Sequence, residues 1–192
     1  PDADSKGNVY YTAIAGSLIG KWDIKTGKTK VWPTPTADAG AYGMSVDRND
    51  KVWFAEYRKC KVAMFDPATE KFTEYNSPSA PCTIRRPGID GAGNVWYGVY
   101  SKGMLGKIDP KTGKVTEYPI PSTNGSPINI SVGPDRNIWF TKAGKLGRVT
   151  PDGVITEFEI PPGGGPTGLS AGSDRRPPTR LIDKLWFTAG NK

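Results

Sequence analysis

The sequence predicts an all-β chain, a β-propeller of four-stranded blades repeating about every 43 residues. Three observations carry this. Trp53, Trp96 and Trp139 stand 43 residues apart, and Asp23, Asp66 and Asp109 keep the same step, as do Trp32, Tyr75 and Tyr118. No 11-residue stretch shows the apolar period of a helix. Short extended runs alternate throughout with turn chemistry, in a chain holding 24 Gly and 18 Pro.

Within the second unit the four runs cover 42–47, 51–56, 61–66 and 71–75. Residues 47–50 and 90–94 suit hairpins between first and second strands, because Asp caps a turn with its own carboxylate and Gly accepts positive φ. Residues 23–27 and 109–113 suit the hairpins between third and fourth strands. Runs such as Val52-Trp53-Phe54 are apolar on both faces, which fits a sheet sandwiched between neighbouring sheets, with Trp rings filling the gaps. Tandem units of this length mark a propeller. A β-solenoid has shorter repeats, and a β-sandwich does not require equal units.

Blades are placed at 1–35, 36–78, 79–121, 122–162 and 163–192, one partial propeller domain over 1–192. The step from Trp139 to Trp186 is 47, so the last unit carries an insertion. The first unit opens at the turn before its second strand, so its first strand is expected to be missing. The last stops after its second strand. The span is then about four and a half blades, expected to belong to a six- or seven-bladed ring. The chain opens at Pro1 without a signal-peptide pattern, and a leader is expected to have been removed.

Charge and composition exclude several chemistries. Lys and Arg number 26 against 19 Asp and Glu, a net charge of +7 that favours anionic partners. The basic residues are spread over hairpins rather than gathered in a tract, so nucleic acid is not expected. There is no His, which removes the usual imidazole base, the commonest transition-metal ligand and every His-dependent triad. No apolar run reaches the roughly 20 residues of a membrane span. Cys60 and Cys82 are too few for a disulfide framework and lack zinc spacing. Cys60 opens a third strand and Cys82 precedes the next first strand. Both therefore lie toward one face on adjoining blades, where an oxidising compartment would allow a disulfide.

The repeats also carry motifs. Second strands read Trp53-Phe54-Ala55-Glu56, Trp139-Phe140-Thr141 and Trp186-Phe187-Thr188. Third strands read Leu105-Gly106-Lys107-Ile108 and Leu146-Gly147-Arg148-Val149. Fourth strands read Val115-Thr116-Glu117-Tyr118-Pro119-Ile120-Pro121 and Ile155-Thr156-Glu157-Phe158-Glu159-Ile160-Pro161. The whole chain resembles the virginiamycin B lyase (streptogramin lyase) family of seven-bladed propellers. That resemblance implies elimination chemistry on a cyclic depsipeptide, with a His base and a magnesium ion near the channel mouth. The family's Pro-His-Gly-Ile or Pro-x-Gly-Ile first-strand pattern is matched by Ala41-Tyr42-Gly43-Met44, Ile84-Arg85-Arg86-Pro87, Pro127-Ile128-Asn129-Ile130 and Pro166-Thr167-Gly168-Leu169, none with His. Its strand-two Glu is matched by Ala13, Glu56, Val99, Lys142 and Ala189, and only Glu56 keeps a carboxylate.

Other motifs fit strands and turns better than chemistry. Gly168-Leu169-Ser170-Ala171-Gly172 matches a nucleophile elbow but falls in a first strand, without a His partner. Gly27-Lys28-Thr29 lacks the helix and first Gly of a P-loop. Asp2 and Asp4, followed by Gly7, read as a hairpin turn rather than a calcium loop. Residues 124–126 and 129–131 match the glycosylation sequon.

In a propeller the first strand lines the channel, and the connector into it shares a face with the loop after strand two. Tyr42, Glu56, Tyr57, Arg85, Arg86, Tyr100, Asn129 and Lys142 are expected at that channel mouth as ligand-binding residues. Arg85 and Arg86 can clamp a carboxylate or phosphate, or one of them pairs with Glu56 and keeps it ionised. No catalytic residue, metal ligand or cofactor is assigned, and magnesium belongs only to the lyase reading. Three function classes follow: a non-catalytic module binding a protein or ligand, a lyase whose catalytic His and Glu lie outside this span, and a module for anionic ligands such as a glycan, a glycopeptide or, least expected, nucleic acid. The expected partners are a protein or anionic ligand at the channel face and further blades of the same protein. The expected location is periplasmic or extracellular, with the cytoplasm left open.

Overall fold

A computed structural model describes residues 1–122, 125–160, 165–172 and 184–190. Four antiparallel four-stranded meanders and one two-stranded sheet follow one another along the chain. The first holds β1 (Asp2–Ala3), β2 (Val9–Ala13), β3 (Leu18–Trp22) and β4 (Thr29–Pro33). The second holds β5 (Ala41–Val46), β6 (Val52–Glu56), β7 (Lys61–Asp66) and β8 (Lys71–Asn76). The third holds β9 (Ile84–Ile89), β10 (Val95–Val99), β11 (Met104–Ile108) and β12 (Val115–Pro119), with a single 3₁₀ turn at Tyr100–Lys102. The fourth holds β13 (Asn129–Val132), β14 (Ile138–Lys142), β15 (Lys145–Val149) and β16 (Ile155–Glu159), and β17 (Gly165–Gly172) pairs with β18 (Lys184–Gly190). This is a β-propeller. Among the described residues no helix is long and apolar enough to cross a membrane. Asn124, Pro161 and the blade limit drawn at 162 and 163 lie outside the described residues.

One expectation needs correction. The first unit does have a first strand: β1 pairs Asp2 with Tyr10 and Ala3 with Val9. The Asp4 turn closes that hairpin, its carboxylate accepting from the amides of Lys6 and Asn8 at 3.0 and 2.8 Å. A strand of two residues is too short to show an alternating pattern in sequence.

The core lies between blades rather than within them. One cluster joins Trp53, Ala55 and Val62 of the second blade to Ile84, Val95, Tyr97 and Ile108 of the third. A second joins Tyr10 and Ile19 to Val52, Phe54 and Phe65. A third joins Trp96 and Leu105 to Ile130, Ile138 and Phe140. Successive strand residues face opposite sides, so Trp53 packs forward while Phe54 packs backward. The repeated Trp holds its ring in two ways. It lies against the fourth-strand ring of its own blade, with centroids 5.5 Å apart for Trp53 and Tyr75, 5.4 Å for Trp96 and Tyr118, and 5.3 Å for Trp139 and Phe158. Its indole N–H donates to the hairpin Asp, at 3.0 Å for Asp47, 2.8 Å for Asp90 and 2.9 Å for Asp135. The third-strand Gly answers the second-strand ring facing it: a Cβ on Gly106 would stand 2.0 Å from Tyr97 Cζ.

Blades are also tied at their linkers. The fourth-strand Glu accepts from the hydroxyl of the connector that enters its own blade: Thr36 to Glu74 at 2.6 Å, Ser77 and Ser79 to Glu117, and Ser122 to Glu157 at 2.6 Å. Cys60 and Cys82 form a disulfide with Cα atoms 5.0 Å apart, linking the start of β7 to the connector into β9.

Candidate functional site

First strands, joined in the first blade by Tyr11 of β2, line a central cavity of about 640 Å³, its wall drawn from all five sheets and including Tyr42, Met44, Arg86, Asn129, Ser131 and Ser170. These strands are not regular. The β5–β6 register slips between Tyr42 and Met44, the β9–β10 register between Arg85 and Pro87, and the β17–β18 register between Pro166 and Gly168. Each slip is a bulge that inserts one residue: Gly43, Arg86 and Thr167. A bulge bends the strand and re-aims the side chains around it.

At the second and third blades this produces a cluster of two arginines and three tyrosines. The Arg85 guanidinium lies 4.2 Å from the Tyr100 ring centroid, 5.8 Å from Tyr42 and 5.9 Å from Tyr57. Arg86 lies 5.4 Å from the same Tyr42 ring and donates to the Tyr42 hydroxyl at 3.4 Å. The Tyr42 and Tyr57 rings are tilted against each other with centroids 5.7 Å apart. Tyr57 follows the end of β6 and Tyr100 the end of β10, so both rings come from the loops after second strands, as the topology requires. The disulfide is anchored beside both halves of the cluster, three residues after Tyr57 and three before Arg85.

The eight expected residues thus fall into two groups. Tyr42, Tyr57, Arg85, Arg86 and Tyr100 come together, and Tyr42, Arg86 and Asn129 line the cavity. Glu56 and Lys142 do not reach the mouth: they are 0% and 1% exposed. No Arg85–Glu56 or Arg86–Glu56 pair forms among the described residues, so the expected salt bridge is corrected. The reason is strand alternation. The end of the second strand points between sheets, whereas the channel belongs to the first strand. Lys142 donates to Glu157 at 2.8 Å and to the Ser122 carbonyl at 3.2 Å. Burial alone would raise Glu157, but hydrogen bonds from Lys142 and Ser122 outweigh it and hold the carboxyl below its usual range.

Glu56 meets a different neighbour. Both its carboxyl oxygens are buried without a well-formed hydrogen bond. Burial first, then repulsion from Glu74, push its pKa up to about 8, with Lys61 and Lys59 offsetting only part. Burial also works to raise Glu74, but its hydrogen bonds from Thr36 and Lys61 keep it low. The expectation of a carboxylate held ionised by an arginine is therefore reversed: burial and Glu74 shift Glu56 toward its protonated form.

Sequence reading missed two contributors. Gly43 has φ +58°, and a Cβ there would stand 2.4 Å from Arg86 Cγ, so this glycine makes the room that the Arg86 stem occupies. Glu74 is the other, and the 43-residue step from Glu74 to Glu117 is the sequence signal that marks it.

Magnesium, implied by the resemblance, does not fit the residues present. Among the described residues no group of three or more His, Cys, Asp and Glu could hold a metal ion. The carboxylate in the cavity wall, Asp2, already accepts from the Val46 amide at 2.8 Å.

Comparison with known proteins adds the following. A sequence profile of the virginiamycin B lyase family matches residues 29–192. A catalytically inactive virginiamycin B lyase from Staphylococcus aureus, solved with quinupristin, is 30% identical, with a TM-score of 0.85 over 96% of this chain and 60% of that one. A streptogramin B lyase structure is 28% identical, with a TM-score of 0.86 over 97% and 60%. This chain therefore spans about three fifths of the length of those lyases. A hydrazine synthase from Kuenenia stuttgartiensis, 12% identical with a TM-score of 0.73, shares the fold alone. No curated protein sequence matched significantly.

Proposed function

The chain belongs to the virginiamycin B lyase family, and from that premise we propose that this span is a ligand-binding module that does not itself carry out elimination. The observation that carries the reading is the cavity of about 640 Å³ walled by first strands, with the arginine–tyrosine cluster at its edge. Elimination needs a base within reach of the substrate's α-proton. The chain contains no His, and Glu56 is sealed between blades. The ligand is a small molecule or protein segment entering from the channel face. The disulfide supports an oxidising location, periplasmic or extracellular.

A second reading is favoured by the identity of 28–30% with lyases over nearly the whole chain. In it, the span forms part of a C–O lyase whose base and magnesium ligands come from other blades. One experiment tests what both readings require of this span, binding at the channel face without turnover of its own. The purified 192-residue chain is titrated with quinupristin and then assayed for ring opening with magnesium. Saturable binding without turnover supports the module. Turnover by this chain would overturn it.

A further inference from the structure

We propose that Arg85 and Arg86 form an oxyanion site, shaped for a carboxylate carried on a flat or aromatic body. The proposal rests on the channel-face reading above and names the chemistry that face selects.

Geometry comes first. Consecutive side chains of a regular strand point to opposite faces. Here the bulge at Arg86 brings both guanidiniums against one ring, Tyr42, at 5.8 and 5.4 Å. Gly43 leaves the space for the second of them. The Arg86 stem occupies space that a side chain at position 43 of the preceding blade would fill.

Charge comes second. Among the described residues neither arginine has a carboxylate partner, whereas Arg58 and Arg148 do. Two cations held against one ring repel each other, and an anion between them removes that repulsion. Arg85 Nε is buried without a hydrogen-bond partner, so the group carries an unspent donor. The guanidinium fork matches the two oxygens of a carboxylate. The Tyr42 hydroxyl accepts from Arg86, which leaves its own proton free to donate to the same anion.

The rings decide the rest of the ligand. Tyr42, Tyr57 and Tyr100 surround Arg85 and hold it half-buried, where its field is less screened than in open water. Their edges and faces offer apolar surface beside the charges. A flat body covering that surface while its carboxylate meets the guanidiniums uses both features. A bare ion uses only one.

The test uses the intact chain with 1-naphthoate and its neutral counterpart 1-naphthamide, followed by fluorescence titration. Naphthoate is expected to bind at least about tenfold more tightly, with the advantage shrinking as salt rises. Arg86→Met should abolish most of the preference, and Gly43→Ala should weaken it by displacing the Arg86 stem. Arg48→Met, at a side chain that donates to the Gly91 carbonyl outside the cluster, should change nothing. Arg85→Met is included if thermal unfolding shows it folded. The exposed Arg86 decides the matter without it. Equal affinity for the two probes, or naphthoate binding untouched by Arg86→Met, would overturn the proposal. Quinupristin binding without naphthoate binding removes the oxyanion site and keeps the channel-face reading. Arginine-dependent naphthoate binding without quinupristin does the reverse.

Discussion

The fifth position of the second strand is Glu56 in the second blade and Lys142 in the fourth, and the two buried charges are handled in opposite ways. Both face the fourth-strand Glu of their own blade. Lys142 meets Glu157 as an opposite charge, with Ser122 satisfying its remaining donors. Glu56 meets Glu74 as a like charge and is held toward its neutral form. In the third blade the position is Val99, which has no charge to satisfy, and Glu117 is held by Ser77 and Ser79. The fourth-strand Glu is thus the constant, since it clasps the incoming linker in all three blades. What stands opposite it is variable, and the two titratable choices need opposite solutions to remain buried: Lys142 keeps an ion pair, and Glu56 is shifted toward its protonated form.

The comparison breaks most visibly at Lys142. Lys142→Ala leaves the Glu157 carboxylate 11% exposed without its cation, and removing one partner of a buried pair costs about 3–5 kcal/mol. Urea unfolding should show that loss, and a change below about 1 kcal/mol would mean that Ser122 alone satisfies Glu157.

Glu56 should give the opposite sign with pH. Its folded pKa, about 8, lies above the ordinary carboxyl value of 4.5, so the folded state binds the proton more tightly than the unfolded chain. Stability from this group is then fully present below about pH 4.5 and is lost as pH rises to 8 and beyond. The loss is on the order of 3–4 kcal/mol. Glu56→Gln should flatten that slope in denaturation curves recorded from pH 5 to 9. A mutant slope equal to the wild type would show that Glu56 is not the proton carrier.

The junction between the second and third blades carries a covalent link that the junction between the third and fourth lacks. Reduction with a dithiol, or Cys60→Ser with Cys82→Ser, should cost about 3 kcal/mol for a loop of 22 residues. Because the link sits beside Tyr57 and Arg85, the reduced chain should also bind naphthoate more weakly. Unchanged stability and binding would place the burden of that junction on packing alone.

The smallest effect compares two indole hydrogen bonds. Asp90 is buried and serves the fully buried Trp96, whereas Asp135 is exposed and serves the partly exposed Trp139. Asp90→Ala should destabilise by about 2 kcal/mol and Asp135→Ala by about 1 kcal/mol or less. Equal losses in thermal melts would show that exposure does not set the worth of this bond.

Much of the architecture was legible because it repeats. Trp53, Trp96 and Trp139 recur with the strand positions they occupy, and the Gly of Leu105-Gly106-Lys107-Ile108 recurs because Tyr97 lies across it. Topology alone also grouped Tyr57, Tyr100 and Arg85 at one face. The short β1 escaped notice because two residues hold no period. Glu56 and Lys142 were misplaced because the repeat aligns them with each other without revealing which face of the blade is sealed.

The sequence by itself determined the blade: its length, its four strands, the ring at the centre of each second strand and the turns between them. These depend on local chain geometry and on apolar patterning, both written in neighbouring residues. The tertiary structure alone decided the site chemistry. Whether Glu56 is charged depends on burial beside Glu74, a neighbour two strands away. Whether Arg85 and Arg86 act together depends on a bulge that breaks strand alternation, and on the room left by Gly43 in the adjoining blade. Desolvation and charge proximity act through space, so residues far apart in the chain set them, and no spacing along the sequence records which of those residues will meet.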